Sequence, residues 1–252
     1  MFSTKSPRLA SAAVLVAALG IRLSACSSSA GSSSSSSTSA MATSSGSSMA
    51  TAAAASMDFG SVDGMTIGTP LESVLDGRKA LLAVAMNGQP LPIAHGFPAR
   101  MLIPGFYGYT SACKWVTDLY VTTFAAEQAY WVRRGYAEIG TMKTQSRIDV
   151  PMPFAHVAAG SVMVAGIAWA TDRGIAAVQV QIHDGPWRQA TLAASDNPDT
   201  WRQWTYDWPA TPGTHSIQVR AADDSGTYQT GTQASPYPSG ASGYESLVVI
   251  VA

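Results

Sequence analysis

The sequence predicts a mainly β chain with some α: an irregular mixed piece followed by a β-sandwich. Two observations carry this. Residues 151–252 break into short segments of period-two alternation, set off by turn residues. Residues 57–150 hold only brief apolar runs between Gly and Pro positions, the layout of part of a larger unit.

The chain starts with an address. Residues 1–26 read as a secretory signal, with Lys5 and Arg8 as the basic start and an apolar, alanine-rich stretch over residues 9–21. Leu23-Ser24-Ala25-Cys26 resembles a bacterial lipobox, in which small residues permit cleavage and the Cys26 thiol takes the lipid. Arg22 is a departure, since it sets a charge between the apolar stretch and that motif. The expectation is an exported chain, lipid-anchored at the cell membrane on its extracellular or periplasmic face. Residues 27–56 contain only Ser, Ala, Gly, Thr and Met. Such a segment buries too little apolar surface to offset its ordering entropy, so a disordered tether is expected.

Residues 57–150 follow. Short apolar elements are expected at 71–75 and 80–86, a turn at Asn87-Gly88-Gln89-Pro90, and strands at 100–103 and 114–123. Val150-Pro151-Met152-Pro153 interrupts any regular element and sets the boundary. In 151–252, strands are expected at 162–170, 175–182, 187–193, 201–208, 216–221 and 244–251. Val178-Gln179-Val180-Gln181-Ile182 alternates, as do Trp204, Tyr206 and Trp208 against Gln203, Thr205 and Asp207. Regular spacing of such strands argues for an immunoglobulin-like sandwich resting on aliphatic and aromatic packing. Trp201, Trp204 and Trp208 are candidates for a binding or dimer surface, with sandwich core as the simpler reading.

Composition narrows the function. The 252 residues carry a formal net charge of -1 and only 12% charged residues. A nucleic-acid binder that neutralises phosphates is therefore not expected. Two cysteines make no disulfide scaffold, and four scattered histidines lack metal-ligand spacing. No apolar run reaches the roughly 18 residues of a membrane span.

Residues 57–150 contain an ordered series. Leu82-Ala83-Val84-Ala85-Met86-Asn87-Gly88-Gln89-Pro90-Leu91-Pro92 precedes His95-Gly96-Phe97-Pro98-Ala99-Arg100. Pro104-Gly105, Lys114-Trp115, Tyr130-Trp131-Val132-Arg133-Arg134-Gly135-Tyr136 and Gln145-Ser146-Arg147-Ile148 follow. This series resembles the sulfite oxidase family of molybdopterin enzymes. The sandwich piece is similar to that family's immunoglobulin-like dimerisation domain, through Gly166-Ile167-Ala168-Trp169, Trp201-Arg202-Gln203-Trp204 and Ala221-Ala222-Asp223-Asp224.

The resemblance implies a molybdopterin cofactor. His95 and Arg100 would contact the pyranopterin and its phosphate, as would Lys114 with the backbone at Ser111 and Ala112. A guanidinium fork suits phosphate. Tyr136 would lie at the substrate oxyanion pocket, where a phenol can donate a hydrogen bond. Each of these has a plainer reading as a loop, strand or core residue. Gly135 stands where the family often has an acid, and Tyr244-Glu245-Ser246 where an aromatic-His-Arg run is usual, so sulfite is a doubtful substrate. The resemblance places the molybdenum-ligating cysteine in a preceding half of the domain, which this sequence does not show. Cys113 sits in the wrong place, and no metal ligand is assigned. The expectation is a truncated or split oxidoreductase, inactive alone, whose partner chain would supply the missing half. A homodimer would form through the sandwich. The alternative is a non-enzymatic surface module that binds or dimerises through the sandwich.

Overall fold

The computed structural model describes residues 54–252. The expected signal, Cys26 and most of the tether lie outside the described residues. Among the described residues, no helix is long and apolar enough to cross a membrane.

The strands in chain order are β1 (Ala55–Ser61), β2 (Thr66–Pro70), β3 (Leu81–Ala83), β4 (Ala85–Met86), β5 (Gln89–Pro90) and β6 (Arg100–Leu102). Then come β7 (Ala112–Cys113), β8 (Val116–Thr123), β9 (Gln145–Val150), β10 (His156–Val157), β11 (Gly160–Trp169) and β12 (Ile175–Ile182). The last are β13 (Arg188–Gln189), β14 (Thr191–Leu192), β15 (Arg202–Ala210), β16 (Gly213–Asp223) and β17 (Glu245–Val251). Two short helices interrupt them, α1 (Leu71–Leu75) and α2 (Gly108–Ser111). The mainly β expectation holds.

The C-terminal part is a sandwich. A five-stranded sheet, ordered β10-β17-β16-β12-β13, faces a four-stranded sheet ordered β14-β15-β11-β9. One core joins them: Val178 and Val180 from β12, Ile217 and Val219 from β16, and Val249 from β17 meet Val164, Trp204 and Trp208. The period-two pattern explains the sorting, because alternate side chains of a strand point to opposite faces. Trp204 and Trp208 are core, whereas Trp201 is 61% exposed.

Three expectations need correction. The segment 187–193 is two strands: β13 pairs with β12 and β14 pairs with β15, in different sheets. Between them Ala190 is buried and donates its N–H to the Val178 carbonyl, so the chain crosses from one sheet to the other there. The sandwich begins at Gln145 and not at Pro151, because β9 pairs antiparallel with β11. Regular structure extends N-terminal to Met57, because Ala55 and Ser56 belong to β1 and Ser56 is fully buried.

The N-terminal part holds the sheet β2-β1-β8, the sheet β3-β6-β7 and the hairpin β4-β5. Met57, Phe59, Ile67, Met101, Ile103, Phe106 and Cys113 form its core. Arg78 ties it to the sandwich: its guanidinium donates to the Pro104 carbonyl at 2.9 Å and pairs with Asp172, which follows β11, at 3.3 Å.

The other face of β1 is polar and buried. Asp58 is 1% exposed; Oδ1 accepts a hydrogen bond from the Ser56 hydroxyl, and Oδ2 has no partner among the described residues. Burial pushes the Asp58 carboxyl above its ordinary 3.8; the Ser56 hydrogen bond opposes this and the nearby Glu127 adds to it. A carboxyl raised in the fold stabilises below its unfolded value and loses that contribution as pH rises through the folded value. Asp58→Asn is therefore expected to raise the thermal midpoint near pH 7.5 and to match the parent near pH 3.5. A midpoint gain of equal size at both pH values would remove ionisation of Asp58 as the cause.

Candidate cofactor site

The motif residues lie around one hairpin. β6 and β7 pair with Met101 opposite Cys113 and Leu102 opposite Ala112, and one further step places Arg100 opposite Lys114. Before β6, residues Ile93–His95 form a single 3-10 turn that ends at Gly96 with φ 110°. That left-handed geometry suits glycine, and a Cβ there would lie 2.9 Å from Arg100 Cβ and 3.2 Å from Lys114 Cβ. Gly96 thus lets the turn close onto both cations.

Side chains from the hairpin then donate to successive carbonyls of this turn. Trp115 Nε1 reaches Ile93 O at 2.8 Å, Lys114 Nζ reaches Ala94 O at 3.3 Å, and Arg100 Nη1 reaches His95 O at 3.2 Å. Arg100 Nε is buried without a partner among the described residues. Guanidinium presents five donors in a fixed fork, so an orphaned Nε beside a second cation is a place for an anionic oxygen. The acid that senses Lys114 is Asp63, whose carboxyl lies below its ordinary value; the Ser61 hydroxyl and the Met65 N–H are the main causes and Lys114 a minor one.

The remaining expected residues sit differently. Ser111 is buried, and its hydroxyl donates to the Phe106 and Tyr107 carbonyls at 2.9 and 3.0 Å. The Ala112 N–H donates to Gly108 O at the end of α2. Both groups hold the far end of the hairpin together, away from Arg100 and Lys114. His95 is exposed and joins the cluster through its carbonyl. Cys113 is 2% exposed, and burial, with a smaller contribution from Asp63, pushes its thiol up to about 11. It packs in the core of the N-terminal part, with no open side for an ion. Among the described residues no group of three or more His, Cys, Asp or Glu is arranged to hold a metal ion. Among the described residues, Arg100 and Lys114 therefore fit a cofactor phosphate, and the buried Cys113 does not fit as the metal's thiolate.

Tyr136 belongs to a second cluster. A 3-10 turn over Val132–Arg134 ends at Gly135 with φ 89°, which turns the Tyr136 ring inward. The ring meets Tyr109 of α2 at 5.1 Å, Trp131 at 5.3 Å and Tyr237 at 5.2 Å between centroids. Tyr109 Oη is buried without a partner among the described residues, and burial raises its phenol above the ordinary value. A Cβ at position 135 would overlap the Tyr237 hydroxyl, so an acidic side chain there would require the Tyr237 ring to move. The structure thus brings His95, Arg100 and Lys114 together at one end of the hairpin, and sets Tyr136 against α2 at the other. Sequence reasoning quoted Trp115 in the motif without giving it a role, and missed Tyr109 and Tyr237. Tyr109 lies just before Thr110-Ser111, and that proximity was the available signal.

Comparison with known proteins shows what the chain is similar to. The model of the oxidoreductase molybdopterin binding domain matches residues 14–131. The mitochondrial sulfite oxidase of Mus musculus is 32% identical over 193 residues, covering 66% of this chain and 35% of that protein. The inducible NADH nitrate reductase 2 of Glycine max is 28% identical over 202 residues, covering 64% of this chain and 22% of that protein. Among solved structures, the sulfane dehydrogenase SoxCD from Paracoccus pantotrophus matches with a TM-score of 0.57 and 26% identity, covering 70% of this chain and 48% of that one. The chain spans about a third of the length of the sulfite oxidases it matches. These likenesses make the chain a homologue of the sulfite-oxidase-type molybdopterin oxidoreductases.

Proposed function

We propose that this chain supplies the phosphate-binding side of a molybdopterin site in an oxidoreductase. The observation that carries the reading is the buried, unpartnered Arg100 Nε beside Lys114, on a turn that Gly96 closes. Arg100 would take phosphate oxygens through its fork and Lys114 would add a compact charge. Tyr136, held by three rings, would present its phenol to the substrate side. When bound, the cofactor supplies two-electron redox chemistry. Because Cys113 is buried in the core, the metal's thiolate would have to come from another segment or polypeptide, and the described residues alone would be inactive. The test is the molybdenum and pterin content of the full chain, purified from a host that makes the cofactor. Pterin held near one per chain supports the reading, and absence of both pterin and molybdenum removes it.

A second reading concerns assembly, and an outward row on the sandwich favours it. Met163, Ala165, Ile167 and Trp169 share the outer face of β11, with Val150 opposite Ala165. Met163 is 58% exposed. The neighbouring row of β15 is polar: Gln203, Thr205 and Asp207. A polar-rimmed apolar stripe suits a second copy of this chain, and we infer a homodimer there. Met163→Asp is expected to weaken self-association about 30-fold, roughly 2 kcal/mol for a central interface position. Sedimentation equilibrium reads it, and a monomeric parent at high micromolar concentration would count against the dimer.

A further inference from the structure

We propose that Tyr237, on the loop between β16 and β17, is the cover over Tyr136, so that the sandwich sets how far Tyr136 of the N-terminal part is open to solvent. The loop is fastened just after this residue. The Ala137 N–H donates to Pro238 O at 3.1 Å, Lys143 Nζ to Gly240 O at 2.5 Å, and Gln145 Nε2 to Ala241 O at 3.1 Å. Gly240 packs directly on the Tyr107 ring. Against this frame the Tyr237 ring stands edge-on to Tyr136, at 86° between planes, and its hydroxyl rests on the Gly135 backbone. Tyr136 already has Tyr109 and Trp131 against it, so Tyr237 closes a further side. Tyr237 itself is 53% exposed, so its ring is a boundary between Tyr136 and solvent and not a core residue.

The arrangement makes Gly135 and Tyr237 one device. The missing side chain at 135 is the seat for the hydroxyl, and the ring beyond it is the cover. Tyr237 is a positioning residue. Its effect on substrate rests on the reading that Tyr136 faces the substrate side of the cofactor; its effect on the exposure of Tyr136 does not.

Nitration of the full chain by tetranitromethane, mapped residue by residue by mass spectrometry, tests this without cofactor. In Tyr237→Ala, nitration of Tyr136 should rise several-fold, while Tyr107, covered independently by Gly240, should keep its rate. Tyr237→Phe, which restores the ring, should return Tyr136 to the parent rate. An unchanged Tyr136 rate in Tyr237→Ala overturns the proposal. So does an equal rise at Tyr107 and Tyr136, which would mean that the loop simply detaches. Absence of pterin from the purified chain would remove the substrate reading and leave the nitration result standing, so the two failures are told apart.

Discussion

Replacing Arg100 by alanine is expected to lower pterin retention by roughly 10- to 100-fold, since a hydrogen bond to a charged group is worth about 1.5–3 kcal/mol. Folding should hardly respond. The β6–β7 pairing is made by backbone groups, and the deleted side chain carries a buried donor that the fold itself does not satisfy. Removing such a donor relieves a desolvation cost, so the thermal midpoint should stay or rise slightly. Arg100→Lys should fall between, because it keeps the charge and loses the planar fork. Pterin content in Arg100→Ala equal to that of the parent would show that the cluster of Arg100, Lys114 and the His95 turn is only a structural clasp. A marked drop in the midpoint would point the same way.

The second large effect is on stability. Trp204→Ala is expected to cost about 3–5 kcal/mol, the range for removing a large aromatic from a core. Trp204 is 1% exposed in the core that both sheets share, and in register it lies opposite Gly166 of β11. A Cβ at 166 would lie 3.0 Å from the Trp204 ring, so the small residue and the large one fit as a pair and the alanine leaves a hole above a glycine. Neighbours that short cannot fill it. For a unit of this size the midpoint should drop by roughly 10 °C, read by circular dichroism. Trp204→Phe should lose less. A loss below about 1 kcal/mol would mean that the two sheets close over the gap.

These two expectations draw on different sources, and the difference runs through the whole chain. The sandwich was legible because its strands alternate: once Val178 and Val180 face one way, burial of that face follows from hydrophobicity alone, and β12 forms over Ile175–Ile182 as expected. The strand β1 was not legible. Both of its faces are buried, Met57 and Phe59 on one and Ser56 and Asp58 on the other, so its pattern carries no period-two contrast. The break at Ala190 was hidden for a related reason: a short run reads the same whether it stays in one sheet or passes between two.

Strand alternation made the mainly β class readable from sequence, and the ordered motif made the likeness to sulfite oxidases readable and singled out His95, Arg100 and Lys114 as candidates. What it could not set is the direction in which each polar group points, because that depends on partners distant along the chain. The hairpin register turned the Ser111 hydroxyl inward, placed Arg100 across from Lys114 and left one guanidinium nitrogen without a partner. Burial put Cys113 in the core of the N-terminal part, beside Met101 and Phe106. The meeting of Tyr136 with Tyr237 joins residues a hundred positions apart through a loop whose hydrogen bonds exist only in the folded chain. Such pairings are decided by tertiary structure, since the contact that fixes each side chain is absent until both segments are in place.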